Sequence, residues 1–194
     1  MEYFIMRPDP DVKNGFKMLN WASTIKKINQ PKNLIMSKEK VRVMYVADDI
    51  YNEYPDFIER PFNLIGDKLK RVMGLYQPNI YFETVVMVEH QRRRQTVYHL
   101  MIVPEVDCAS DLSVRYFGKI HDLVLDVKKM GDQRIFRVEG DPRLIVRLDV
   151  VESILRRVPH GIVFEAVKLE LEKKEGVKDG RGVPVYSSRS ENGL

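Results

Sequence analysis

The sequence predicts an α+β fold, an antiparallel or mixed sheet with a few short helices, built as a single domain. Three observations carry that prediction. Residues 80–90 (IYFETVVMVEH) and 94–103 (RQTVYHLMIV) are rich in β-branched and aromatic residues, and only a short polar linker separates them. Helical periodicity is confined to brief stretches at 67–74 and 149–158. Between 134 and 168, strand-like runs alternate with the turn formers Gly140-Asp141-Pro142 and Pro159-His160-Gly161. Strands that pair locally, with short helices between them, point to α+β.

Taken in order, residues 2–7 read as a first strand. Residues 8–40 hold Pro8, Pro10, Asn14, Gly15, Asn29, Pro31 and Asn33, and read as irregular. Trp21, the only tryptophan, is expected to anchor them to the core. Residues 40–47 (KVRVMYVA) set Val41, Val43 and Tyr45 against Arg42, Met44 and Val46, the period of a strand. In 67–74, Leu69, Val72 and Met73 share one helix face, and Gly74 suits the C-cap. The two long strands then form an antiparallel hairpin. A second hairpin is expected from 121–127 and 134–139, across Met130-Gly131-Asp132. Asp149 is a candidate N-cap for the last helix, with Glu152 completing a capping box. Val150, Ile154, Leu155 and Val158 would be its buried stripe, and Phe136 and Ile154 are expected to share one core. The domain should span 1–171. Residues 172–194 are polar, Gly-rich and aperiodic, and read as a flexible tail.

The chain has 194 residues, 32 of them basic and 28 acidic, for a net charge of +4. Its charges are mixed along the sequence, whereas a dedicated nucleic-acid binder tends to cluster them on one face. One cysteine, Cys108, allows no intrachain disulfide, which suits a reducing compartment. No apolar run approaches the ~20 residues of a membrane span. The N-terminus does not read as a signal peptide. The expected location is the cytoplasm.

Chemistry-bearing residues are sparse and dispersed. Cys108 and His121 lack any nucleophile signature around them. The histidines His90, His99, His121 and His160 show no metal-ligand spacing. His99 is expected to be packed within its strand, and His160 to be solvated. Ser110 and Ser113 lack a nucleophile elbow and read as turn residues. No catalytic residue, cofactor or metal is therefore assigned. Arg92-Arg93-Arg94 is the one run suggesting phosphate contact, and it is also an ordinary way to keep a hairpin end soluble.

Residues 48–59 are more informative. Asp48, Asp49, Glu53, Asp56 and Glu59 put five carboxylates into twelve residues, with Tyr51, Tyr54 and Phe57 between them. Aromatic anchors among carboxylates suit a basic protein partner, the charges steering encounter and the rings filling pockets. The competing reading is a hydrated loop whose aromatics pack down onto the core.

One resemblance covers most of residues 1–170. Ile135, Phe136, Val138 and Gly140, then Leu144 to Val146, the helix Val150 to Arg157, and Gly161, Ile162, Phe164 and Val167 form a pattern. With Tyr3 to Met6, and with Pro61 to Lys70 followed by Tyr76-Gln77-Pro78, it resembles the immunity-protein family numbered eleven of bacterial polymorphic-toxin systems. Gly66 stands where that family usually has Ser. The resemblance implies a non-enzymatic protein that neutralises a cognate toxin by direct contact. The acidic loop suggests that this partner is basic, and the mixed charge and short apolar runs make nucleic acid or a membrane an unexpected partner. The alternatives are a small hydrolase with a site built from dispersed residues, or a nucleic-acid-binding domain using Arg92-Arg94.

Overall fold

Two five-stranded sheets enclose a layer of helices in this computed structural model, which describes residues 1–19, 21–22 and 41–170. The tail expected at 172–194 lies outside the described residues. The first half of the chain forms β1 (Tyr3–Pro8), β2 (Arg42–Tyr45), β3 (Phe57–Ile58), β4 (Leu64–Gly66), α1 (Asp67–Tyr76), β5 (Tyr81–Glu89) and β6 (Arg94–Ile102). Next come β7 (Glu105–Val106), β8 (Val114–Tyr116), β9 (Lys119–Asp122), β10 (Val124–Asp126) and α2 (Val127–Met130). The last elements are β11 (Ile135–Val138), β12 (Leu144–Arg147), α3 (Leu148–Leu155), β13 (Ile162–Ala166) and β14 (Lys168–Glu170). The fold is α+β, as the sequence predicts.

The first sheet runs β13-β1-β12-β11-β7 and the second β2-β5-β6-β4-β3. Both are mixed: β11 pairs with β7, and β2 with β5, in parallel, while the other pairs are antiparallel. The β5–β6 hairpin matches the expected one, with Tyr81 opposite Ile102 and Glu89 opposite Arg94. The second expected hairpin does not form. β10 joins β14 in a separate two-stranded pair, and β11 joins β12. The short helix α2 lies between β10 and β11, so the chain leaves one sheet before it enters the other.

Strand period decides which core each residue enters. On β12, Leu144 and Val146 face α1 and α3, in a cluster with Leu69, Val72, Val150 and Ile154. Ile145 faces the other way, into a cluster with Tyr3, Phe136, Cys108, Leu125 and Met130. Phe136 is fully buried as predicted, but it does not share a core with Ile154. Its neighbour Ile135 does. Adjacent strand residues point to opposite faces, which separates the two.

The helices depart from expectation at their ends. α1 runs past Gly74 to Tyr76 and stops at Gln77, because a residue before proline is disfavoured in the helical region. The N-cap of α3 is Arg147, not Asp149. Asp149 instead sits in the first turn and pairs with the Arg147 guanidinium at 2.9 and 2.7 Å. The buried face of α3 is Val150, Val151 and Ile154, while Leu155 and Val158 lie in solvent. Trp21, expected to anchor residues 8–40, is 42% exposed.

Candidate partner-binding surface

The second sheet shows its two faces unequally. Its inner face carries Met44, Val46, Leu64, Val85, Met87, Tyr98 and Leu100, all buried, with Phe16, Met18 and Tyr54 packed over them. Among the described residues, its outer face is covered at one end only. There α1 lies over Ile65 and Met101, and His99 beside them is buried with Nε2 3.2 Å from the Asp67 carboxylate. Burial, and then the nearby Lys70 charge, hold the His99 imidazole below its ordinary pKa.

Beyond His99 the outer face opens to water. Val43, Val86 and Val97 lie in one cross-strand row, and Tyr45, Val88 and Gln95 in the next. Val43 is 50% exposed and Val97 46%, with Val86 and Val88 half-buried. Val41 continues the stripe towards the start of β2 and is exposed. Strands apolar on both faces ordinarily lie between two layers, and among the described residues the second layer stops short.

The acidic loop 48–59 leaves the same end of this sheet, from β2, and it is fastened at many points. Asp48 accepts from the backbone amides of Gln91 and Arg92 at the β5–β6 turn, at 3.1 and 3.2 Å. Asp49 closes a local turn by accepting from the Tyr51 amide. Asn52 Nδ2 donates to the Ala47 carbonyl and to the buried Glu89. The Glu53 amide donates to the Asn14 carbonyl, and the Glu53 carboxylate stands 3.7 Å from His160 Nε2. Tyr54 stacks on Phe16 with centroids 4.8 Å apart, and the Arg94 guanidinium lies 4.2 Å over its ring. Burial, followed by its hydrogen bond to Glu89, pushes the Tyr54 hydroxyl well above its ordinary pKa.

Further along, Asp56 spans to the turn before β13. Its amide donates to the His160 carbonyl, and its carboxylate accepts from the His160 amide, both at 2.8 Å. The His160 side chain itself is exposed, as expected. Gly161 makes this approach possible. Its φ is 73°, and a Cβ there would sit 2.5 Å from Pro55 Cβ. Phe57 is fully buried in the central core. Glu59 lines an open cavity of about 290 Å³ between residues 8–18 and 55–60, alongside Val12, Phe16, Pro55 and Ile58.

The structure therefore divides the sequence-predicted residues. Phe57 is a core anchor and presents nothing to a partner. Asp48 and Asp56 are occupied in holding the loop, and Tyr54 packs inward. Asp49 and Tyr51 remain outermost, Tyr51 at 67% exposure with Ile50 at 61% beside it. The arginine tip is not a separate surface: Arg92 and Arg94 abut the loop through Asp48 and Tyr54. The rim is of mixed charge, which the carboxylate count alone did not suggest. The valine rows are the part that sequence reasoning missed, and the signal was present. In VVMV of β5, and in β2, apolar residues occupy both alternate positions, so each strand has two faces to cover.

The other candidates resolve into packing and turns. Cys108 is fully buried behind the first sheet, its thiol pushed up to about 11 by burial and then by Asp107 and Asp126. His121 packs edge-on against Tyr116 at 5.0 Å. Ser110 and Ser113 hold turns through Leu112 and Val124. Among the described residues, no group of three or more His, Cys, Asp or Glu side chains is placed to hold a metal ion. Nor, among them, is any helix long and apolar enough to cross a membrane. Comparison with protein-family models and with curated proteins finds no match.

Proposed function

We propose that this chain is a non-enzymatic binding protein of the toxin-immunity type, which neutralises a cognate toxin in the cytoplasm by covering it. The observation that carries this reading is the uncovered outer face of β2, β5 and β6, with the fastened loop bearing Tyr51 at its end. An apolar centre with a polar, charged rim is how protein–protein interfaces are built. A loop already fixed by its own hydrogen bonds loses little freedom on binding, so more of the contact energy appears as affinity. The resemblance to the immunity family numbered eleven supports the same class. The mixed rim, with Asp48 held at the Gln91 and Arg92 amides, fits a partner whose own charges alternate as well as it fits a purely basic one.

The test uses a candidate toxin, sought first among the neighbouring genes, with growth rescue and calorimetric affinity as readouts. The parent chain should rescue growth and bind tightly. Tyr51→Ala should weaken binding by about 2 kcal/mol if the ring fills a central pocket. Rescue without any measurable complex, or turnover of a small substrate by the purified chain, would overturn the reading.

A further inference from the structure

We propose that the β8–β9 ribbon is an arm through which one copy of this chain grips a second, Phe117 entering the open cavity between residues 8–18 and 55–60. Phe117 is anomalous twice over. It and Gly118 are the two central residues of a hairpin turn, with φ of 48° and 76° and Tyr116 opposite Lys119. Turns of that kind favour Asn-Gly or Asp-Gly, because a bulky L-residue is strained at positive φ. The same phenyl ring is completely exposed, at 105%. Among the described residues nothing packs on this ring.

The ribbon is also braced. A two-stranded ribbon alone is marginal in water, yet this one is tied at its root. Ser113 Oγ both donates to and accepts from the Val124 backbone, at 2.9 and 3.0 Å. Lys168 holds Asp122 at 2.6 Å, and Arg143 donates to the Ile120 carbonyl. The bracing stops short of the tip, so what is held in place is the presentation of Phe117. Arg115 and Lys119 flank the ring, and among the described residues neither pairs with a carboxylate.

The chain carries a matching hole. A dry cavity of roughly 150 Å³ is enough to admit benzene, and this one is about 290 Å³. Phe16 and Pro55 give it apolar walls, and among the described lining residues the carboxylates of Asp9 and Glu59 outnumber the cation Arg60. An aromatic tip between two cations is complementary to that. Nucleic acid fits less well. The ribbon is too short to follow a groove, Asp111 and Asp122 stand at its root, and the Tyr116 ring is already engaged by His121.

The knob and the hole are different surfaces, so each can be removed alone. Phe117→Ala removes the knob. Gly15→Trp fills the hole, and Gly15 has open space around a new Cβ. Sedimentation velocity of the full chain over a rising concentration series should show the parent self-associating, more weakly at high salt. Each variant alone should stay monomeric, and an equimolar mixture of the two should form a one-to-one complex. A parent that is monomeric throughout would overturn the proposal. So would self-association that survives Phe117→Ala, or a mixture that fails to pair. Oligonucleotide binding lost in Phe117→Ala, with the parent monomeric, would assign the arm to nucleic acid instead.

Discussion

On β12 the neighbours Ile145 and Val146 are both fully buried, each in its own cluster, while on β6 Tyr98 is buried and its neighbour Val97 is 46% exposed. The two strands look alike as sequence, for both are apolar at successive positions. They differ in what the rest of the chain supplies. The first sheet receives α1 and α3 on one face and the segment from Cys108 to Met130 on the other. Among the described residues, the second receives Phe16, Met18 and Tyr54 on its inner face, and on its outer face a helix that reaches only as far as His99. A doubly apolar strand states a demand for two covers. Among the described residues the first sheet has both covers, and the second leaves its outer valines as the face proposed for a partner.

That contrast can be broken by substitution. Phe136→Ala, on the doubly covered sheet, should cost about 3–5 kcal/mol in denaturant unfolding. Val97→Ala, on the half-covered one, should stay within about 0.5 kcal/mol. Similar losses at both positions would mean that the outer face is packed after all.

The loop beside that face offers a sharper test of its rigidity. Gly161→Ala forces a Cβ against Pro55 at positive φ, and should destabilise by roughly 1–3 kcal/mol. It should also loosen the Asp56–His160 contact, which amide exchange at those two residues would report. Unchanged exchange would show that the loop does not depend on this clamp.

The covered end of the outer face should respond to pH. His99 is buried with its pKa lowered from 6.5, so the unfolded chain binds a proton more readily than the folded one. Stability should therefore fall as pH drops from about 6.5 through the lower folded value, and be fully present above 6.5. Asp67 does not obscure that window, because its own pKa is held below 3.8 by Arg71 and then His99. Thermal melts of His99→Gln should lack the decline seen in the parent between pH 7 and 5.

Much of this fold could be read from local signals. The β5–β6 hairpin, the α1 stripe of Leu69, Val72 and Met73, and the strand–turn–strand of β11 and β12 follow from periodicity and turn chemistry. What could not be read was partnership. Residues 121–127 and 134–139 look like a hairpin, yet no local feature says that β10 pairs with β14. Asp149 followed by Glu152 has the spacing of a capping box, but Arg147 draws the Asp149 carboxylate to itself. For the candidate site, the loop 48–59 stood out by composition, while the division of labour within it did not. Phe57 and Tyr51 are both loop aromatics in sequence. Only the pairing of β3 with β4 turns Phe57 inward, and only the Asp49 turn leaves Tyr51 outward.

The valine rows are proposed as a binding face and not an unfinished core. The most direct measurement is Val43→Lys/Val97→Lys, followed for stability and for toxin binding in parallel. Lysine stems can lie along a sheet with their charged heads in water, and lysine is well tolerated near sheet edges. If the valine rows are a binding face, unfolding free energy should stay within about 1 kcal/mol of the parent, while toxin binding and growth rescue are lost. A double variant that is equally stable and still binds and protects would contradict it, and would place the interface elsewhere on the chain.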